Sequence, residues 1–204
     1  MMEKIVLASN NKKKITELRT ILGSLMPDCE ILSLSDAGIG CDIEEDGNTF
    51  EENSVIKASV PARLGYIGIA DDSGLCVDSL GGAPGVYSAR YSGKGDAENN
   101  KKLLSELSDK NDRGAKFVCV MSAVFPDGDT VTARGEVSGM ILTAPRGEDG
   151  FGYDPLFYCP ELGKTFAEAS ADEKNAVSHR GRALAAFCEL FKERICFHQN
   201  KDRF

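Results

Sequence analysis

The sequence predicts an α/β fold, and three features of the chain predict this class. An apolar run at residues 4–9, an amphipathic stretch and a second apolar run at residues 30–34 give the order strand, helix, strand. A compact apolar segment, residues 66–70, predicts a buried strand, and two β-rich runs follow later in the chain. The 204 residues, 42% of them hydrophobic, can fill one sizeable core. We therefore expect a single domain over residues 1–204.

Two helices are predicted in the first third of the chain. Apolar residues recur at helical spacing from Ile15 to Leu25, and Pro27 marks the end of that helix. Thr49 and Glu52 have the S/T-x-x-E spacing of a capping box, which predicts a second helix over about residues 50–63. The buried strand follows this helix, and we expect the residues after it, Asp71 to Gly74, to form a turn at its C-terminal end.

The rest of the chain alternates glycine-rich loops with regular elements. A loop at residues 81–93 precedes a helix at about residues 96–107, and strands at residues 116–125 and 130–137 read as an antiparallel hairpin across PDGD. A second loop, residues 144–155, precedes a short strand at residues 156–158, and the tail from Ser170 onward is predicted to be helical.

The charge balance restricts the partners of this protein. The 24 Lys and Arg residues against 32 Asp and Glu residues give a formal net charge of −8, so most of the surface repels nucleic acid and anionic membranes. The most apolar run, residues 117–121, is far shorter than the ~20 residues of a membrane-spanning helix. The first residues do not fit a signal peptide, and the seven cysteines include no C-x-x-C pair. We expect a cytoplasmic protein with reduced thiols that binds neither nucleic acid nor membrane.

A candidate phosphate loop lies between the first strand and the first helix. Backbone N–H groups and the helix dipole favour an anion at a helix N-terminus, and lysine side chains add positive charge. Without a bound anion these lysines would oppose the dipole, so a phosphate would explain their position. The alternative is a solvated, lysine-rich first turn. The candidate residues are Ser9, Asn10, Asn11, Lys12, Lys13 and Lys14.

Two acidic segments are candidates for holding a divalent cation. One loop, residues 42–46, carries four acids including Glu44, and the adjacent residues Asp71 and Asp72 follow the buried strand. Mg²⁺ is commonly held by one or two carboxylates together with water and substrate phosphates. Neighbouring carboxylates beside an apolar run repel each other unless a cation or hydrogen bonds compensate. The loop by itself also fits simple solvation, whereas the aspartate pair favours a functional site.

A glycine loop with two aromatic residues is a candidate base contact. Its residues are Phe151, Gly152, Tyr153 and Asp154. The glycine allows a close approach of the backbone to a ligand, and either aromatic ring could stack on a base. The alternative is that these rings are core anchors, which is common for aromatic residues beside such loops.

The C-terminal segment carries three basic candidates. Lys174, His179 and Arg180 would scatter around one continuous helix, on which His179 faces away from the apolar stripe and is no ordinary core histidine. They could share a ligand if the helix breaks. Ser178 fits the N-cap of a second helix, which would place His179 and Arg180 in its first turn. The alternative is a solvated basic helix face.

Five motifs, taken in order, resemble one known family. They are LASNNKKKITEL, GNTFEENSVIKA, IADDSGLCVDSLGGAPGVYSARYSG, GFGYDPLFY and EKNAVSHRGRAL. Together they cover nearly the whole chain and are similar to the inosine/xanthosine triphosphate pyrophosphatase family, which removes noncanonical purine nucleotides. The resemblance implies a long twisted mixed β-sheet flanked by helices, with two lobes that enclose a nucleotide cleft, and a homodimer.

The resemblance also implies an activity and a cofactor. The family hydrolyses ITP, dITP and XTP between the α and β phosphates with Mg²⁺, which gives the monophosphate and pyrophosphate and cleanses the nucleotide pool. Glu44 and Asp72 match the metal positions, and Asp72 also matches the residue assigned as proton acceptor. Either Asp72 or its neighbour Asp71 could then activate the attacking water.

Other positions match the substrate contacts of this family. Residues 9–14 match its phosphate loop, with Lys14 as the best-placed cation, although Ser9 and Asn10 replace the Thr and Gly of many bacterial members. Lys57 is a further phosphate candidate. The remaining matches are Ser73, the base-side loop of Phe151, Gly152, Tyr153 and Asp154, and the nucleotide contacts Lys174, His179 and Arg180.

Two other classes of function compete with this interpretation. A nonenzymatic nucleotide sensor could use the same phosphate loop, although a binder of polyanions gains nothing from carboxylates without a metal. A metal-dependent nuclease is disfavoured by the acidic charge and by the lack of a basic, aromatic-lined groove.

Overall fold

The chain alternates strands and helices in the α/β pattern that the sequence predicts. The structure is a computed structural model that describes residues 4–9, 12–25, 27, 29–40 and 43–201. The strands and α-helices of this part of the chain are β1 (Lys4–Leu7), α1 (Lys12–Leu25), β2 (Glu30–Ser33), α2 (Phe50–Ala62), β3 (Ile67–Val77), α3 (Asp96–Glu106), β4 (Gly114–Val124), β5 (Thr130–Ile141), β6 (Phe157–Cys159), β7 (Lys164–Thr165), α4 (Ala171–Val177) and α5 (His179–Lys201). Among these helices, none combines the length and apolarity of a membrane span.

The described strands form one mixed sheet in the order β2-β1-β3-β4-β5-β6-β7. Strand β1 pairs in parallel with β2 and β3, whereas β6 pairs antiparallel with β5 and β7. Neighbouring strands β4 and β5 are joined by residues 125–129 alone, which is too short for the crossover that parallel strands need. The predicted α/β class, mixed sheet and hairpin are therefore confirmed.

The chain divides into two compact units. Unit 1 comprises Met1–Asp72, Val120–Arg134 and Leu184–Phe204, and unit 2 comprises Ser73–Cys119 and Gly135–Ala183. Each unit has a hydrophobic cluster of its own. The single domain over residues 1–204 and the nucleotide cleft between lobes stay predictions.

In unit 1, α2 packs closely on β3. Ala58 and Ala62 of α2 share a buried apolar cluster with Ala70 of β3. A Cβ atom at Gly68 of β3 would lie 1.9 Å from the carbonyl oxygen of Ala58, so this close approach requires glycine. The approach brings the polar residues on the same side of α2 to strand β3.

The N-terminus of α2 is fixed by the predicted cap. The Thr49 hydroxyl accepts a hydrogen bond from the Glu52 backbone N–H at 3.1 Å, and the Glu52 carboxylate accepts one from the Asn48 N–H at 2.6 Å. The helix starts at Phe50, as predicted, and ends at Ala62. The S/T-x-x-E pattern therefore located this helix because both partners of the cap are local in sequence.

In unit 2, aromatic rings fill the core. Phe117 lies 4.6 Å from Phe157 and 5.8 Å from Phe166 between ring centroids, and the Phe117–Phe166 pair is stacked at 7°. These distances are within the range of favourable aromatic pairs. Cys159 is a buried free cysteine in the same cluster.

The predicted turn at the aspartate pair is wrong. Strand β3 continues through Asp71 and Asp72 to Val77, and both carboxylates are buried. Successive side chains of a strand point to opposite faces of the sheet, so the two carboxylates are not directed at one common site. Compensation for the burial of Asp72 comes from residues distant in sequence, which a local pattern does not reveal.

Two glycines offer a matched test of the packing of α2 on β3. Gly68→Ala places a methyl group against the Ala58 carbonyl, and we expect it to lower the free energy of unfolding by about 1–3 kcal/mol or more. Gly23→Ala in α1 has its nearest neighbour at 3.9 Å and should raise this free energy by about 0.5–1 kcal/mol. Urea unfolding measures both changes, and similar midpoints for the two variants would contradict the close approach.

Candidate active site

Unit 1 contains a buried cluster of charged side chains, which we call the carboxylate cluster: Glu45, Lys57 and Asp72. The Lys57 ammonium lies 3.2 Å from Asp72 Oδ1 and 3.2 Å from Glu45 Oε1. Lys57 and Asp72 are buried, and Glu45 is partly exposed. Within this cluster, one ammonium group lies within ion-pair distance of two carboxylates.

Asn53 fixes the orientation of Asp72. Its amide group is fully buried and donates a hydrogen bond to Asp72 Oδ2 at 3.2 Å. Its carbonyl oxygen accepts the backbone N–H of Gly47 at 2.9 Å, so the amide nitrogen must face Asp72. Asn53 therefore ties the acidic loop to the strand that carries Asp72.

Sequence reasoning missed Asn53, although a signal was present. Asn53 and Lys57 are four residues apart in the predicted helix, and residues at this spacing lie on one face of a helix. An amide and a lysine at this spacing, in a helix expected to pack on the sheet, would have marked one face of the helix as polar. The structure brings both side chains to Asp72.

The environment of Asp72 alters its acidity. Burial raises the pKa of the Asp72 carboxyl above its ordinary value, while the Lys57 ammonium opposes this shift and Glu45 adds to it. A raised pKa makes a carboxylate a stronger proton acceptor near neutral pH. Burial together with a specific charged partner is an arrangement common at functional sites, which makes Asp72 a candidate functional residue.

The carboxylate cluster also suits a hard divalent cation. Among the residues that the structure describes, no three His, Cys, Asp or Glu side chains group closely enough to hold a metal by themselves. Mg²⁺ commonly uses one or two carboxylates and takes its other ligands from water and phosphates. Asp72 supplies one such carboxylate, held in place by Lys57 and Asn53. Glu44, the other predicted ligand, is an exposed residue of the acidic loop beside Glu45.

In unit 2, the loop at residues 151–154 presents one aromatic ring and buries the other. Phe151 is 54% exposed, whereas Tyr153 is buried and donates its hydroxyl hydrogen bond to the Ser88 carbonyl at 2.9 Å. The stacking role suggested for the Tyr153 ring is therefore wrong, because the ring is a core anchor. Gly152 has φ +61°, a conformation that favours glycine, and this explains the residue without a ligand.

Two cations lie near the exposed ring of Phe151. The Lys174 ammonium lies 4.8 Å and the Arg180 guanidinium 5.8 Å from the ring centroid. Lys174 also pairs with the buried carboxylate of Asp154 at 2.5 Å, and Asp154 accepts the Phe151 N–H at 2.8 Å. The loop therefore offers an apolar face next to positive charge, which suits a flat, electron-rich ligand.

The C-terminal helix is broken at Ser178, the residue that the sequence offers as an N-cap if a second helix begins there. Helix α4 begins with a capping box of Ser170 and Glu173 and ends at Val177. Ser178 is extended, with ψ 154°, and its hydroxyl accepts the Gly181 N–H at 3.1 Å as the N-cap of α5. The first turn of α5 therefore contains His179 and Arg180, as predicted.

The break changes the environment of His179. Its ring is buried and stacks on Phe117 at 4.8 Å and 13°, so the expectation that His179 is no ordinary core residue is wrong. That expectation assumed one continuous helix, and the extended Ser178 resets the phase of α5. Arg180 extends to Ser73, with Nη2 at 3.5 Å from Ser73 Oγ, so the structure brings these two candidates together.

The predicted phosphate loop is described in part. Ser9 follows β1 and donates its N–H to the Leu7 carbonyl at 3.0 Å, and α1 begins at Lys12. Asn10 and Asn11 lie outside the described residues, as do the side chains of Lys12, Lys13 and Lys14. Phosphate binding by this segment stays a prediction.

Comparison with known proteins identifies the family of the chain. Residues 5–190 match the sequence model of the Ham1 family. The chain belongs to the Ham1 family. This membership confirms the resemblance that the five motifs indicated.

Named relatives of this Ham1-family chain are similar along most of their length. A dITP/XTP pyrophosphatase of Clostridium perfringens is 53% identical over 194 residues, which cover 90% of this chain and 94% of that protein. The structure of the Staphylococcus aureus Ham1 protein has a TM-score of 0.88 and 44% identity, covering 94% of this chain and 100% of that one. A dITP/XTP pyrophosphatase structure from Mycobacterium abscessus has a TM-score of 0.79 and 46% identity, covering 90% of this chain and 97% of that one.

Replacing Lys57 tests the carboxylate cluster in this Ham1-family chain. Lys57→Met leaves Asp72 and Glu45 without their common cation, and removal of one partner from a buried ion pair costs about 3–5 kcal/mol. Lys101→Met, which breaks an exposed pair with Glu98, should cost less than about 1 kcal/mol. Urea unfolding at pH 7 measures both variants.

The loss of stability caused by Lys57→Met should depend on pH, and the direction of this dependence follows from the pKa of Asp72. Loss of Lys57 removes the effect that lowers the Asp72 pKa, so the folded variant binds a proton at Asp72 more readily. When the pKa of a carboxyl is higher in the folded than in the unfolded state, protonation stabilises the folded state at low pH. This contribution to the free energy of unfolding is lost as the pH rises through the pKa of the folded state. The stability deficit should therefore narrow on acidification, and a deficit that stays constant would contradict this account.

Proposed function

We propose that this protein hydrolyses the noncanonical purine nucleoside triphosphates ITP, dITP and XTP to the nucleoside monophosphate and pyrophosphate, and so cleanses the nucleotide pool. The names of its relatives support this activity, since proteins 53% and 54% identical to it are called dITP/XTP pyrophosphatases. The observation that carries the proposal is the buried Asp72, oriented by Asn53 and balanced by Lys57.

Asp72 has the main chemical role in this proposal. Its carboxylate accepts a proton from a water molecule, whose oxygen forms a bond to phosphorus. The attacked atom is the α phosphorus. Its bond to the oxygen that bridges the α and β phosphates breaks, and pyrophosphate leaves with that oxygen. Lys57 and Asn53 hold the Asp72 carboxylate through one oxygen each, which fixes its direction before substrate binds.

We propose Asp72 and Glu44 as the residues that hold Mg²⁺. When bound, the ion supplies positive charge that neutralises the triphosphate. Lys57 supplies the opposite charge that compensates for the burial of the Asp72 carboxylate. The homodimer that the resemblance implies and the cytoplasmic location expected from the sequence both stay predictions.

Base recognition is assigned to the residues around Phe151. A purine can stack on the exposed ring, where Lys174 and Arg180 provide hydrogen-bond donors. Hypoxanthine and xanthine have an acceptor at position 6, where adenine has an amino donor. Hydrogen-bond donors in the site therefore pair with the 6-keto group of hypoxanthine or xanthine. With adenine bound, a donor of the protein would stay unpaired, and this cost allows strong discrimination against ATP.

The proposed activity has a direct test. Purified protein with ITP, XTP, GTP and ATP, each with Mg²⁺ or with EDTA, should release pyrophosphate and monophosphate from ITP and XTP in the presence of the metal. Release of orthophosphate would indicate a phosphatase, and tight ITP binding without product would indicate a sensor. Degradation of an oligonucleotide would favour the nuclease.

Two aspartate variants separate the neighbouring candidates for the base. Asp72→Asn should lower the turnover of ITP by about 100-fold or more, because a general base contributes this order of magnitude, while nucleotide binding measured by calorimetry stays near the wild-type value. Asp71→Asn is the matched control, since its side chain is on the other face of β3. Near-normal turnover in Asp72→Asn, or a greater loss in Asp71→Asn, would overturn the assignment.

A further inference from the structure

Helix α3 holds both polar backbone groups of Gly152. The Asp96 carboxylate accepts the Gly152 N–H at 2.9 Å, and the Asn100 side-chain amide donates to the Gly152 carbonyl at 2.9 Å. Asp96 and Asn100 are four residues apart and therefore lie on one face of α3. We call this pair of contacts the Gly152 clamp.

The clamp acts on the residue that follows Phe151. The Phe151 ring is 54% exposed, so it is not held by burial in the core. Its position depends on the backbone at residues 151 and 152. Asp154 holds the Phe151 N–H, and the clamp holds both polar groups of the next residue.

The helix that carries the clamp is itself anchored in unit 2. Asn99, which precedes Asn100, is buried and donates to the carbonyls of Ser88 and Ala89 at 3.3 and 3.2 Å. The Ser88 carbonyl also accepts the Tyr153 hydroxyl. Leu103, one turn further along α3, is fully buried in the aromatic core. The clamp therefore connects the loop to a fixed support.

We infer that Asp96 and Asn100 are positioning residues that hold the Phe151 ring in place for the base of the substrate. This inference rests on the proposed function, because base recognition is assigned to Phe151. Loss of either clamp contact should let the ring take other positions. The substrate would then bind more weakly, while the chemical step at Asp72 stays intact.

A structural role for the same contacts makes a different prediction. Asp96 lies in the first turn of α3, where an acid also stabilises the helix dipole. Glu98 is in the same turn and pairs with the exposed Lys101, without contact to Gly152 in the structure. Glu98→Ala is therefore the matched control, since it removes a first-turn acid and keeps the clamp.

Steady-state kinetics with ITP and Mg²⁺ tests the inference. Asp96→Ala and Asn100→Ala should each raise KM by about threefold to tenfold, with kcat within about twofold of wild type. Asp96→Asn keeps an oxygen that can accept the Gly152 N–H and should restore a near-normal KM. Glu98→Ala should resemble the wild type. A fall in kcat with unchanged KM, or equal effects of Glu98→Ala and Asp96→Ala, would overturn the inference.

Fluorescence gives a second measurement that does not depend on activity. The chain contains no tryptophan, so Phe151→Trp introduces a single fluorescent reporter at the residue before the clamped Gly152. Adding Asn100→Ala or Asp96→Ala to this reporter should lower its fluorescence anisotropy and increase quenching by acrylamide. Adding Glu98→Ala should leave both quantities unchanged.

The two measurements separate the inference from the function on which it rests. Wild-type protein that releases no pyrophosphate from ITP or XTP would overturn the proposed function, and the fluorescence would still decide whether the clamp holds residue 151. Active wild-type protein whose reporter is unaffected by Asn100→Ala and Asp96→Ala would overturn the clamp and leave the function standing.

Discussion

The close packing of α2 on β3 is the constraint on which the arrangement of unit 1 depends. With glycine at position 68, the helix approaches the strand closely, and Asn53 and Lys57 meet a carboxylate that would otherwise be buried without partners. Burial of such a charge is strongly unfavourable unless hydrogen bonds and an opposite charge compensate. The burial of the Asp72 carboxylate therefore depends on the close approach of α2 to β3.

The fold could be predicted wherever the deciding contacts are local. Thr49 and Glu52 are three residues apart and located the start of α2, and Ser178 located the break between α4 and α5. The path of β3 could not be predicted in this way, because the partner of Asp72 is 15 residues away at Lys57. A sequence pattern records that two aspartates are adjacent, but not that pleating directs them to opposite faces.

In the candidate site, too, local patterns could be predicted and long-range contacts could not. The motifs indicated the loop at residues 151–154, but its two aromatic residues have opposite environments. Tyr153 is fixed through a carbonyl 65 residues earlier, at Ser88, so its burial depends on tertiary structure. His179 shows a further limit of periodicity, because a single extended residue before it changed the face on which it lies. Residue type and order indicated which segments to consider, and long-range contacts decided which of their side chains are accessible.

The break at Ser178 makes the segment that carries Lys174 separable from the rest of the C-terminal region. Helix α4 has 7 residues, too few for a helix that is stable by itself, and its ends are defined by Ser170 and Ser178. Its direction is set by these two caps, whereas α5 is held by the burial of His179 against Phe117. A change within α4 therefore acts first on the Lys174–Asp154 ion pair, and through Asp154 on the backbone of Phe151.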